Sequence, residues 1–314
     1  MRLKGLLRSV TSKINANTGG RDLATVSLNI IFAIGVFYFF QQKYDAIEAL
    51  LKSYSVSHHI SNILCNLAVL IIYLQRNNQI FIGVARKSIQ AAAEAKLREI
   101  SIKVGINCFL IATFLPLGLL MAEIYRAITL QRVADVKGYL AIAKLLLADK
   151  AFSYLFLILI STSVLLLPTR WTILVTLTFL LIIIYSKIGS ALTVLIKKWI
   201  FPIECNIKNV LILSVLGQSV YLFAYFLPYA PSVISAIPDH ELKFLSIATV
   251  FSILPIGWLN VGGKELFLVS IAEMTKETRS FGAEMIFVFP IYQSLSITIL
   301  ALLYYCKKIF GAAK

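Results

Sequence analysis

Charge is what this chain has least of. Charged residues make up 14% of the 314, against about 25% in an average soluble domain, and hydrophobic residues make up 59%. A water-covered globule is excluded, and a polytopic membrane protein is the class that remains. Acids are scarcer still, 15 against 30 Lys and Arg, for a net charge of +15. The bases are scattered through the connections and form no block. A nucleic-acid binder needs a basic stripe with stacking aromatics on a soluble surface, and no such stretch exists. Scattered bases fit loops that face anionic lipid on the cytoplasmic side.

The four cysteines, Cys65, Cys108, Cys205 and Cys306, are far apart and form no CxxC, so neither a disulfide framework nor a metal site is expected. His58, His59 and His240 fall in polar connections and read as solvated loop residues. Nucleotide motifs are absent as well. Residues 257–264 brush against a P-loop, but Lys264 falls one place late, and Glu265 stands where Ser or Thr would hold Mg²⁺. No nucleophile elbow occurs, and no soluble domain of about 100 residues is present. No cofactor is expected. Any transport is therefore downhill, ion-coupled or driven by a partner.

What the chain does have is two look-alike breaks. Leu115-Pro116-Leu117-Gly118 is followed by Glu123 and Arg126; Leu254-Pro255-Ile256-Gly257 is followed by Gly262, Gly263, Lys264 and Glu265. Proline removes a backbone donor and glycine loosens the same place. In lipid a broken helix survives only where protein or water satisfies the freed groups. Paired breaks in corresponding halves point to a transporter's substrate site.

Residues 1–22 are basic and amphipathic and read as a helix on the cytoplasmic surface. A single transmembrane domain is expected over 23–306 and a short basic cytoplasmic tail over 307–314. Spans are expected at about 23–40, 60–74, 151–167, 171–185, 209–229 and 285–305. The second span ends at Gln75-Arg76-Asn77-Asn78, and Ala91 to Arg98 is a good helix former. Broken segments at about 104–126 and 242–274 enter from opposite faces as re-entrant hairpins. The expected fold is all-α, with six to eight transmembrane helices in inverted-repeat-like halves. N- and C-termini lie on the cytoplasmic side of the inner membrane.

An ionised group at bilayer depth costs about 2.5–3.5 kcal/mol and marks function by default. Glu123 and Arg126, three apart, share a helix face. Asp149 opens an apolar span beside Lys150, and Glu265 follows a glycine pair. Arg126 and Lys264 suit a lipid phosphate, Arg as a bidentate fork. The acids suit charge balance, a coupling proton, or an amino or sugar headgroup. The alternative is that these side chains cap helix ends at the interface.

At these residues the chain resembles the lysylphosphatidylglycerol synthetase transmembrane-region family of flippase-like membrane proteins. Pro116 through Glu123-Ile124-Tyr125-Arg126, then Asp149-Lys150, then Leu254-Pro255-Ile256 and Gly262-Gly263-Lys264-Glu265 carry the resemblance. Where the family has a Tyr-Arg pair in the last span, this chain has Tyr292-Gln293. The resemblance covers roughly residues 20–306. It implies re-entrant helices and the movement of an anionic phospholipid or polyprenyl-phosphate-linked sugar across the membrane, in envelope lipid or polysaccharide synthesis. It also implies a glycosyltransferase as companion. The other reading is a membrane-embedded transferase, or its accessory subunit, acting on lipid-linked sugars.

Overall fold

Long apolar stretches form helices here, and proline follows the ends of two of them, Pro116 after Phe114 and Pro228 after Phe226. The structure is a computed structural model that describes residues 34, 37–38, 41–42, 44–85, 94–115, 118–134, 156–157, 207–229, 257–258, 261–262 and 287–311. The helices are α1 (Val56–Ala85), α2 (Glu94–Phe114), α3 (Gly118–Ala134), α4 (Ile207–Phe226) and α5 (Val288–Gly311). A 3-10 turn, Leu227–Tyr229, closes α4, and the two-residue strands β1 (Gly257–Trp258) and β2 (Val261–Gly262) precede α5. Among the described residues, three helices are long and apolar enough to cross a membrane, over Val56–Gly83, Lys208–Phe226 and Val288–Lys307. The basic helix expected over 1–22 and most of the spans expected at 23–40, 151–167 and 171–185 lie outside the described residues.

α1 corrects the expected second span. It covers 30 residues, about 45 Å at 1.5 Å per residue, and runs through Gln75-Arg76-Asn77-Asn78 for three more turns. Polar side chains do not end a helix; proline, glycine or a cap does. Arg76 lays its guanidinium over the Tyr73 ring, 5.6 Å from the centroid, and Ile80 and Phe81 are buried beyond it. The last helix likewise runs past Lys307 and Lys308 to Gly311.

α2 and α3 start earlier and end later than the segment expected at 104–126, and they fold back on each other. Leu115 N–H makes the last helical bond, 3.1 Å to the Ile111 carbonyl. Cys108 Sγ then reaches the Ala122 carbonyl at 3.4 Å, and Asn107 Nδ2 donates to Tyr125 Oη at 2.9 Å. Successive contacts therefore run in opposite directions along the two helices. Gly118 explains how the chain turns so tightly. A Cβ there would sit 2.5 Å from the Ile111 carbonyl oxygen and nearer still to that of Ala112.

α1 is the centre of the bundle: α2, α4 and α5 all pack on it. α4 runs antiparallel to α1. Tyr54 Oη donates to the Pro228 carbonyl at 2.7 Å at one end, and Gly217 meets Tyr73 further along. α5 runs parallel to α1, with contacts from Tyr292 to His59, Ser296 to Ile63, and Ala301 to Leu74. The bundle has an apolar outside and, within a largely apolar interior, a set of fully buried polar side chains. Ile60, Leu64 and Ile71 of α1, Phe223 of α4, and Leu302 and Leu303 of α5 are exposed, whereas Asn62, Asn66, Ser214 and Ser296 are fully buried. Helices in lipid pack in this way, through small and polar residues, because hydrocarbon already solvates the leucines.

Candidate functional site

Glu123 and Arg126 fall one turn apart on α3, the second arm of the hairpin. Arg126 Nη1 lies 3.8 Å from Glu123 Oε2, with the arginine side chain 8% exposed and the glutamate 26%. The three-residue spacing puts both on one face, as the sequence implied. Tyr125, between them, accepts from Asn107 of α2, whose carbonyl oxygen accepts from Tyr305 Oη of α5 at 2.5 Å. This relay ties the arm that carries Arg126 to the last helix. Thr129 adds a 2.9 Å bond back to the Tyr125 carbonyl.

The second break is not helical where it is described. Gly257 pairs with Gly262 and Trp258 with Val261, antiparallel. β1 packs against both α2 and α3. The chain around the second break thus meets the hairpin built on the first. Of the expected site residues, the structure describes Glu123, Arg126, Gly118 and Gly262; Asp149, Lys264, Glu265, Pro116, Pro255 and Gly263 lie outside the described residues.

The histidine reading is corrected. His58 and His59 are in the first turns of α1, not in a loop, and His58 is 7% exposed. Tyr292 Oη bonds His59 Nδ1 at 2.5 Å, and His58 stands edge-on to the Tyr54 ring, with centroids 4.5 Å apart. Tyr292, read only as half of an incomplete Tyr-Arg pair, is therefore a buried strut between α5 and α1. Arg76, read as the end of a span, is 6% exposed in the middle of the bundle. A signal for these residues was present: His58, Asn62 and Asn66 recur every four positions on an otherwise apolar helix.

Helices with oil-facing leucines and a buried set of arginine, asparagine and tyrosine define a helical membrane protein with a polar interior. No family model, curated protein or solved structure matches the chain.

Proposed function

We propose that the protein is a lipid translocase that carries a phosphate-bearing headgroup past the α2–α3 hairpin while the acyl or prenyl chains stay in the bilayer. The observation that carries this reading is Arg126, buried beside Glu123 on a hairpin against which a second, non-helical hairpin packs. A guanidinium held out of water is a strong phosphate ligand, and the neighbouring carboxylate balances it when no headgroup is there.

The hairpin itself suits partial entry into the membrane. Neither α2 nor α3 is among the three helices apolar enough to cross. The first half of α2 exposes Arg98, Glu99 and Lys103, which leaves Val104–Phe114 as its apolar part. Eleven residues reach about 16 Å, roughly half of a 30 Å hydrocarbon core. Phe114, Leu115, Leu120 and Met121 at the turn are exposed, as a tip resting in acyl chains requires. We read α2–α3 as one re-entrant hairpin and the segment around residues 257–262 as the core of the other, within a fold of six to eight spans. Lys264 joins Arg126 on the phosphate, and Asp149 and Glu265 share the charge balance.

The test is headgroup movement in phosphatidylcholine–phosphatidylglycerol vesicles that hold the full chain and a fluorescent phosphatidylglycerol, read by quenching of the outer leaflet. The intact protein is expected to equilibrate the two leaflets faster than protein-free vesicles, and Arg126→Gln and Glu265→Gln to lose that acceleration. Unchanged rates from both variants, present in intact amounts, would refute the assignment.

A further inference from the structure

One polar feature of the bundle takes no part in the hairpin site. His58, Asn62, Asn66, Tyr73 and Arg76 fall within roughly an 80° arc of α1 at 3.6 residues per turn. Gly217 of α4 lies against Tyr73, and Tyr54, one turn before His58, bonds the Pro228 carbonyl just beyond α4. The arc therefore faces α4. That helix buries polar groups of its own, Ser214, Gln218 and Tyr225, the last edge-on to Phe289 of α5. From His58 to Arg76 the seam covers about 27 Å, close to the roughly 30 Å thickness of a hydrocarbon core.

Parts of the seam lack a hydrogen-bond partner in the protein. Asn62 Nδ2 donates to the His58 carbonyl at 2.9 Å and Asn66 Nδ2 to the Asn62 carbonyl at 2.9 Å. Asn62 Oδ1 and His58 Nε2, among the described residues, have no partner, although Asn62 is 0% and His58 7% exposed. Leaving two such atoms unmet one turn apart costs about 1–3 kcal/mol each, and buried water is the usual remedy. One of the two belongs to an imidazole, a group that can take up a proton and hand it on.

The titratable groups around His58 are Tyr54 at its ring edge, His59 on its own helix, Tyr292 of α5 bonded to His59, and Tyr225 one turn before Pro228 on the α4 side. Among the described residues no Asp, Glu or Lys is buried. Arg76, at the far end of the seam, is the fixed charge. Val69, buried and apolar, interrupts the arc between Asn66 and Tyr73, and Gln218, next to Gly217 on α4, stands at about the level of that gap.

We propose that the α1–α4 seam is a hydrated proton pathway, with His58 as its protonatable relay. A proton reaches His58 Nε2 from water held at Asn62 and leaves to water on the other side, so the imidazole ends each passage neutral. The proposal goes beyond the translocase reading, because it concerns the α1–α4 interface and not the α2–α3 hairpin, and a different cargo.

The experiment uses the full chain in phosphatidylcholine–phosphatidylglycerol vesicles with an internal pH dye and valinomycin to clamp the potential. Wild type is expected to relax an imposed pH gradient faster than protein-free vesicles. His58→Gln and Asn62→Leu are each expected to slow the protein-dependent part at least about tenfold, a floor set beneath the roughly 100-fold that a positioned proton carrier contributes at the least. As a check that does not depend on flux, the four native cysteines are changed to serine and Asn62→Cys is added. A small membrane-impermeant thiol reagent then labels that residue if water reaches the seam. Proton flux equal to that of empty vesicles, a His58→Gln protein as fast as wild type, or an unlabelled Cys at 62 each overturns the proposal. His58-dependent proton flux without lipid movement upholds the seam and removes the translocase reading; lipid movement without proton flux does the reverse.

Discussion

Single side chains here do work that composition hides. Gly118 and Gly105 are both glycines in packed helices, yet an added methyl group meets different neighbours. At 118 it meets two backbone carbonyls of the preceding helix, which cannot move without opening the turn; at 105 it meets the end of the Leu74 side chain, which can change rotamer. Gly118→Ala is therefore expected to cost more than Gly105→Ala, by about 1–3 kcal/mol on the scale of overpacking. Thermal unfolding of the two variants in detergent, followed by size exclusion, compares them directly. Tyr54 supplies a pH dependence. Burial lifts its phenol from 10.0 to about 12, because the phenolate would lose water at the bundle's edge. A raised pKa means that the folded state holds the proton more tightly than the unfolded state. That stability is complete below pH 10 and is lost as pH rises toward 12, at about 1.4 kcal/mol per unit. Tyr54→Phe should be less stable at neutral pH, having lost the bond to Pro228, and should show a flatter decline in melting temperature above pH 10.

At the scale of elements, local chemistry was easier to read than partnership. The three membrane-length helices were visible as apolar runs, since the hydropathy that makes a span is summed over its own residues. The break between α2 and α3 was visible too, because proline and glycine act on the backbone where they stand. α1 runs through Gln75-Arg76-Asn77-Asn78, because polarity is no stop signal and nothing in those residues breaks a helix, whereas the last span, expected at 285–305, is found at Val288–Lys307. The candidate site divides in the same way. Glu123 and Arg126 pair within one helix turn, so spacing alone sufficed. The Tyr125–Asn107–Tyr305 relay and the Tyr292–His59 bond join residues as many as 198 and 233 positions apart, and no local pattern announces such a contact. His58 and His59 were misread for a related reason. Next to Ser55 and Ser57 they look like loop residues, and only the helix that continues below them turns one of the pair inward.

For the whole molecule, the arrangement of the described helices makes a topology that can be tested without knowing the cargo. α1 and α5 run the same way and α4 the opposite way, so the beginnings of α1 and α5 lie at the same end of the bundle as the close of α4. Ser57 marks that end, and Lys208 and Lys307 mark the other; all three are exposed. Bases gather on the cytoplasmic side of a membrane protein, and Lys208, Lys307 and Lys308 form the richer end. With the four native cysteines replaced by serine, Ser57→Cys is expected to react with an impermeant thiol reagent applied to intact cells. Lys208→Cys and Lys307→Cys are expected to react only once the membrane is opened. The exposed leucines of α1, α4 and α5 require these three helices to stand in the bilayer together. Labelling of Ser57→Cys and Lys208→Cys from the same side would mean that α1 and α4 do not cross as an antiparallel pair, and with that pair would go the buried polar interface between them.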